Sequence, residues 1–184
     1  MKSRIAVIED EPEIQGLIAE ELEDAGYEVA CAANGREGLD LILEFKPHLI
    51  LSDISMPEMD GYELLEALRE RNPRFQSVPI IFLSALADRR HVIHGKKLGA
   101  DDYVTKPIDF ELLLATVGAR LREVERLTEL KERQMAKLYQ TFVARAEETG
   151  RPKPALVVVN QWLDLNPVHA AFEELDAGTF IKTA

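Results

Sequence analysis

The chain has 184 residues, an ordinary apolar share of 46% and a formal net charge of −11, which suits one domain with a sizeable core, or one domain plus an appendage. A single cysteine, Cys31, excludes an internal disulfide framework and gives no metal-ligand spacing. No apolar stretch approaches a membrane span, and the acids of MKSRIAVIEDEPE stand where a signal peptide needs its cleavage region, so a cytoplasmic chain without membrane contact is expected. The charge is uneven: residues 1–117 hold 12 Lys and Arg against 23 Asp and Glu, while residues 118–184 hold 10 of each. Direct nucleic-acid binding is not expected of such a surface, because it needs basic groups to release counterions.

In chain order, Ile5–Ile8 is an apolar run followed by Glu9, Asp10, Glu11 and Pro12. Ile14, Leu17, Ile18, Leu22 and Ala25 mark one face of a helix, and Gly26 falls at its end. Tyr27–Ala32 reads as a second strand, Gly38–Phe45 as a helix stopped near Pro47, and Leu49–Ser52 as a third strand. Tyr62–Arg71 is a helix with Leu64, Leu65 and Leu68 inward, and Val78–Leu83 is a fourth strand. Asp88–Leu98 is a helix closed by Gly99, and Asp102–Thr105 a short fifth strand. Five strands alternating with helices predict an α/β fold with a doubly wound parallel sheet. Continuous apolar strands call for cover on both faces.

A long helix is expected over 109–148, roughly 60 Å at 1.5 Å per residue. Phe110, Leu114, Val117, Leu121, Val124, Thr128, Lys131, Met135, Leu138 and Phe142 follow spacings of four and three. That is a heptad seam interrupted by Thr128 and Lys131, with Leu127 and Leu130 beside the break. Either a coiled-coil homodimer or a helix folded against its own tail satisfies it. TGRPKP breaks the helix, and residues 149–184 predict a small helical tail with Trp162 and Phe172 on its apolar face. Residues 151–184 carry three Lys and Arg against four Asp and Glu, too few and too acidic for a typical DNA-binding output domain.

Ligands of doubly wound sheets gather beyond the carboxyl ends of the strands. Glu9 and Asp10 follow the first strand, Asp53 the third, Ser84 the fourth and Lys106 the fifth. Clustered carboxylates repel by about 4 kcal/mol per pair at ~4 Å and an effective dielectric of about 20, so a proton or a cation must relieve them. Oxygen-only ligands with open water positions suit Mg²⁺, and a lysine ammonium suits phosphate.

IAVIEDEP, LILSDISMPEMDG, PIIFLSA and GADDYVTKP, in that order, resemble the receiver domain of two-component response regulators over about residues 3–120. The resemblance implies a flavodoxin-like receiver over 1–120, followed by the long helix and the tail. It implies a phosphorelay role in which Asp53 accepts a phosphoryl group from a histidine kinase or phosphotransfer protein. Mg²⁺ would be held by Glu9, Asp10, Asp53 and the Ser55 carbonyl, with Glu9, where an aspartate is usual, acting through water. Lys106 and Ser84 would bind the phosphoryl oxygens, and Ser84 with Tyr103 would form the switch. A cis Lys106–Pro107 bond is implied, as are loop-shaping roles for Pro57 and Gly61 and an influence of Ser55 and Leu86 on water access. His91 and His94 find no partner constellation and are expected to be partly exposed on their helix. Homodimer contacts are expected at Asp101, Asp102, Glu111 and Arg120. The chain would be a phosphoacceptor switch and not an enzyme acting on other substrates. The alternatives are a DNA-binding regulator with no visible output domain, or a Mg²⁺-dependent phosphatase. The latter usually has a second acid where this chain has Ser55.

Overall fold

The computed structural model describes residues 2–71, 75, 77–84 and 98–149, with backbone alone at 71 and 142–149. Strands β1 (Arg4–Ile8), β2 (Glu28–Ala32), β3 (Leu49–Asp53), β4 (Ile80–Ser84) and β5 (Asp102–Thr105) form one sheet in the order β2-β1-β3-β4-β5. Every pairing is parallel, and the order is that of the flavodoxin-like doubly wound folds. The described helices are α1 (Pro12–Asp24), α2 (Gly35–Phe45), α3 (Gly61–Arg71) and α4 (Phe110–Thr149). Of the helix expected over 88–98, only Leu98 is described, and it is helical. Leu86, His91, His94, Trp162, Phe172 and the tail beyond Thr149 lie outside the described residues.

Alternation along the strands builds two cores. Ile5, Val7, Leu49, Leu51, Ile81, Leu83 and Val104 face one way and pack with Ile18 and Leu22 of α1 and Leu113 and Val117 of α4. On the other face, Gly38 of α2 lies so close to β1 that an added Cβ would stand 3.0 Å from Ile8. Tyr62 of α3 meets Phe82 of β4 there, with ring centroids 5.1 Å apart. β3 and β4 are buried throughout, whereas the edge strand β2 is exposed at Glu28 and Cys31.

Most boundaries shift by a residue or more from the sequence reading, and three of the shifts bear on the site or have a visible cause. α2 begins at Gly35 because Asn34 caps it, its side chain accepting from Glu37 N–H at 2.9 Å. β4 begins at Ile80 because Pro79 has no N–H for the ladder, although its carbonyl accepts from Ile50 N–H at 3.0 Å. Asp53 is the last residue of β3 and not the first beyond it. On α1, Ile14, Ile18 and Leu22 define the inward stripe, while Leu17 falls to its edge and is 52% exposed.

The chain divides into two compact units, Met1–Glu125 and Arg126–Ala184. The first holds the sheet and α1–α3. Of the second, the described residues 126–149 are helical, and Leu127, Leu130 and Leu138 are exposed on them. Among the described residues, no helix is long and apolar enough to cross a membrane.

Candidate functional site

β1 sends its chain to one neighbour and receives β3 as the other, so the sheet opens a crevice between the carboxyl ends of β1 and β3. Glu9 and Asp10 extend from the first of these strands and Asp53 terminates the second. Oxygens of Glu9, Asp10 and Asp53 all lie within 4.8 Å of one another. Glu9 is fully buried, Asp53 is 6% exposed, and Asp10 is half-buried.

Lys106, beyond β5, joins two of these acids. Its Nζ donates to Glu9 Oε1 and to Asp53 Oδ2, both at 2.9 Å. Glu9 Oε2 lies 2.8 Å from the same ammonium but makes no hydrogen bond, which leaves a buried carboxylate oxygen with unused acceptor capacity. Glu11 Oε1 is a more distant fourth group, 3.8 Å from Nζ. Asp53 Oδ1 accepts from Ile54 N–H at 2.6 Å and Ser55 N–H at 3.4 Å, so backbone and lysine fix both ends of the carboxylate.

The electrostatics follow from burial. Loss of water pushes the Glu9 carboxyl above its usual range; Asp53 adds to the rise and Lys106 opposes it. For Lys106, burial works to lower the value, but hydrogen bonds and charge from Asp53 and Glu9 carry it above the ordinary ammonium value. The arrangement keeps an ammonium charged beside a strand-end carboxylate.

Of the other expected site residues, Ser55 and Ser84 adjoin this centre. Ser84 ends β4, is 8% exposed, and its carbonyl accepts from Lys106 N–H at 2.7 Å. Ser55 is exposed, and Tyr103 is half-buried on β5 with its ring 5.8 Å from that of Phe82. The Lys106–Pro107 bond is cis. Asp101 and Asp102 stand at the opposite end of β5. Asp101 accepts from Ile80 N–H at 2.9 Å, and Asp102 pairs with Arg120 at 2.9 Å. Glu111 is exposed in the first turn of α4.

Two contacts escaped the sequence reading. Gln15 Nε2 donates to the carbonyls of Glu9 and Ala32, both at 2.9 Å, and so pins the turn that carries the acids. Its only sequence signal is a polar residue next to the inward Ile14. Gly61 packs on β3 so closely that a Cβ would stand 2.3 Å from the Asp53 carbonyl oxygen. A glycine eight residues after Asp53 hints at a close approach but does not say to what.

Residues 5–118 match the response regulator receiver domain family, and the chain belongs to it. It is a receiver of the two-component systems. It is 41% identical over 124 residues to the "DNA-binding dual master transcriptional regulator RpaA" of a Synechocystis strain, covering 67% of this chain and 51% of that protein. It is 34% identical over 151 residues to the response regulator Rre1 of the same strain, covering 80% of this chain and 65% of that one. The chain thus spans about half to two thirds of the length of these relatives. Among solved structures it resembles a CheY-like receiver from Methanospirillum hungatei, with TM-score 0.64 and 32% identity over 68% of this chain and 98% of that one. Vibrio cholerae CheY4 gives 0.62 and 32% over 65% and 98%.

Proposed function

We propose that this chain is a phosphorylation-controlled switch whose acceptor is Asp53, charged by the phosphohistidine of a partner kinase or phosphotransfer protein. The observation that carries the reading is a carboxylate 6% exposed at a strand end, with an ammonium 2.9 Å from one oxygen and backbone donors on the other. An Asp53 oxygen attacks phosphorus and forms an O–P bond. The P–N bond breaks, and the departing imidazole keeps the electron pair and takes up a proton. Lys106 and the Ser84 hydroxyl bind the transferred phosphoryl oxygens. The chain's own chemistry is limited to acquiring and losing this group.

The residues present fit Mg²⁺. Three carboxylates within 4.8 Å form an all-oxygen donor set, and Glu9 Oε2 is a buried acceptor without a hydrogen bond. Glu9, Asp10, Asp53 and the Ser55 carbonyl would hold the ion, which neutralises charge on phosphoryl oxygens when bound. The added phosphate then biases Ser84 and Tyr103. Shifting a two-state element from 1:99 to 99:1 takes about 5.5 kcal/mol, and one charge-assisted hydrogen bond gives about 1.5–3 kcal/mol. Lys106, Ser84 and the metal must therefore act together.

The output is read as protein contact, including homodimerisation. Asp101, Asp102, Glu111 and Arg120 would set its register, and the seam through Leu121, Val124, Met135 and Leu138 would supply apolar surface. Such exposed ion pairs contribute little energy. Sedimentation with and without beryllofluoride measures this: a single monomeric boundary in both conditions rules it out. A second reading, control of transcription through DNA, is favoured by the name of the Synechocystis relative and opposed by the charge of −11. A mobility-shift titration at low salt separates the two.

The deciding experiment is incubation with Mg²⁺ and a small-molecule phosphodonor, read by intact mass. One added phosphoryl group on the wild type and none on Asp53→Asn is expected. Equal labelling of both overturns the assignment.

A further inference from the structure

The turn between β2 and α2 touches both segments that carry the clustered acids. At its start the Ala32 carbonyl accepts from Glu9 N–H at 3.1 Å and from Gln15 Nε2 at 2.9 Å. At its end Gly35 N–H donates to the Met59 carbonyl at 3.2 Å, in the loop that runs from Asp53 to α3. Residues 32–35 therefore join the segment of Glu9 and Asp10 to the loop that carries Ser55.

Both sides of this bridge are stiff. The Asn34 side chain, buried at 6% exposure, accepts from Glu37 N–H at 2.9 Å, and Glu37 Oε2 accepts from Ala33 N–H at 3.2 Å. These reciprocal bonds set the path of the turn. On the facing loop, Met59 N–H donates to the Pro57 carbonyl at 2.7 Å across Glu58, whose φ of 65° lies in the left-handed region. Gly61 N–H donates to the Ile54 carbonyl at 2.9 Å and closes the loop on itself. Gly35 has no room for a side chain: a Cβ would stand 2.5 Å from the Met59 carbonyl oxygen and 2.8 Å from Met59 Cγ. Only glycine lets the two backbones approach this closely.

We infer that Gly35 is a positioning residue, and that the turn 32–35 is a spacer that sets the separation of the two acid-bearing segments and with it the fit of Mg²⁺. The inference rests on the reading of Glu9, Asp10, Asp53 and the Ser55 carbonyl as metal ligands. Mg²⁺ demands a near-ideal octahedron of oxygens at about 2.0–2.1 Å, whereas Ca²⁺ accepts irregular shells at about 2.3–2.6 Å. A spacer between ligand-bearing segments thus acts on the choice between the ions as well as on affinity. A methyl group at position 35 pushes on a closed loop tied at Ile54 and Gly61, so the displacement is passed to Ser55 and Asp53. A general loss of stability has no such preference between ions.

Calorimetric titration of the full chain with Mg²⁺ and, separately, with Ca²⁺ compares wild type, Gly35→Ala and Ile42→Val. Gly35→Ala is expected to bind Mg²⁺ about tenfold more weakly and to lower the ratio of Mg²⁺ to Ca²⁺ affinity by at least about threefold. Ile42→Val trims the buried face of the same helix away from the turn and should keep the wild-type ratio. Amide hydrogen exchange of the wild type needs no substitution. If the clamp favours the ion, the ion must favour the clamp by the same factor, so saturating Mg²⁺ should slow exchange at Gly35 N–H about tenfold. An unchanged affinity ratio in Gly35→Ala, or Gly35 exchange that Mg²⁺ does not slow, overturns the spacer. A wild type that binds no Mg²⁺ overturns the metal reading and the spacer with it, and the wild-type titration tells the two failures apart.

Discussion

Replacing Lys106 by methionine removes the ammonium that lies between Glu9 and Asp53 and keeps a chain of similar length. At an effective dielectric of about 20, each contact of Lys106 with these acids, at 2.8–2.9 Å, is an attraction on the order of 5–6 kcal/mol. Each carboxylate pair within the 4.8 Å cluster is a repulsion of at least about 3.5 kcal/mol. Without the lysine, three acids remain with no neutralising group among the described residues. Removing one partner of a buried pair costs about 3–5 kcal/mol. Glu9, already pushed toward protonation by burial, can take up a proton, and solvent reaches the half-buried Asp10. Both reliefs place the expected loss at the low end, about 3 kcal/mol, which is large against the 5–15 kcal/mol typical of whole proteins.

The same accounting makes Asp53→Asn neutral to slightly stabilising, by up to about 1–2 kcal/mol, because the lost attraction to Lys106 of about 5–6 kcal/mol is slightly smaller than the two lost repulsions of about 3.5 kcal/mol each from Glu9 and Asp10. In the Lys106→Met background, however, Asp53→Asn should recover about 2 kcal/mol, since there it removes only repulsion. The assay is urea unfolding followed by circular dichroism, in low salt with a chelator present. Lys106→Met should lower the midpoint by roughly 2 M at unchanged slope, and the double variant should regain most of it. A Lys106→Met midpoint within ~0.3 M of wild type, or a double variant no more stable than the single, refutes the charge argument.

Gly61→Ala places a methyl group 2.3 Å from the Asp53 carbonyl, so it should destabilise by about 1–3 kcal/mol and slow labelling of Asp53, both read on one purified variant. Asp60→Ala strips the cap from Tyr62 and Glu63 N–H and should cost about 1 kcal/mol by urea unfolding. Gln15→Leu leaves the carbonyls of Glu9 and Ala32 without their amide donor, and calorimetric titration should find Mg²⁺ bound about tenfold more weakly. An unchanged titration would mean that the turn holds its shape without the clamp.

The sheet was legible because its strands are apolar runs punctuated by acids, and strand-end polarity marks where a doubly wound fold puts its ligands. Glu9, Asp10, Asp53 and Lys106 could be gathered from that rule alone. Their depth could not. Glu9 is fully buried, and nothing in IEDEP distinguishes a buried Glu9 from an exposed Glu11. Around Glu9 stand Ala32, Asp53 and Lys106, which are contacts between residues far apart in sequence. The helix periodicity placed Leu17 inward because apolar spacing marks a stripe without fixing its edges; packing chose Ile14, Ile18 and Leu22. Gln15 and Gly61 were missed as partners for a related reason. Each acts through a group brought to it by the fold, and a one-dimensional pattern records only the residue.

The charge arrangement of this site is also what would make it responsive under the proposed function. A lysine ammonium has three N–H donors, and two are engaged by Glu9 Oε1 and Asp53 Oδ2. Under the proposed function, a phosphoryl group on Asp53 would change what that carboxylate offers and would bring oxygens that compete for the same ammonium. The competition extends to Ser84, whose carbonyl accepts the Lys106 N–H at 2.7 Å, so the loop bearing the ammonium and the end of β4 are already joined. A site satisfied by apolar packing would have nothing to redistribute. Here one cation serves two buried carboxylates, and a new anion at Asp53 would draw on the ammonium that joins the carboxyl ends of β1, β3 and β5.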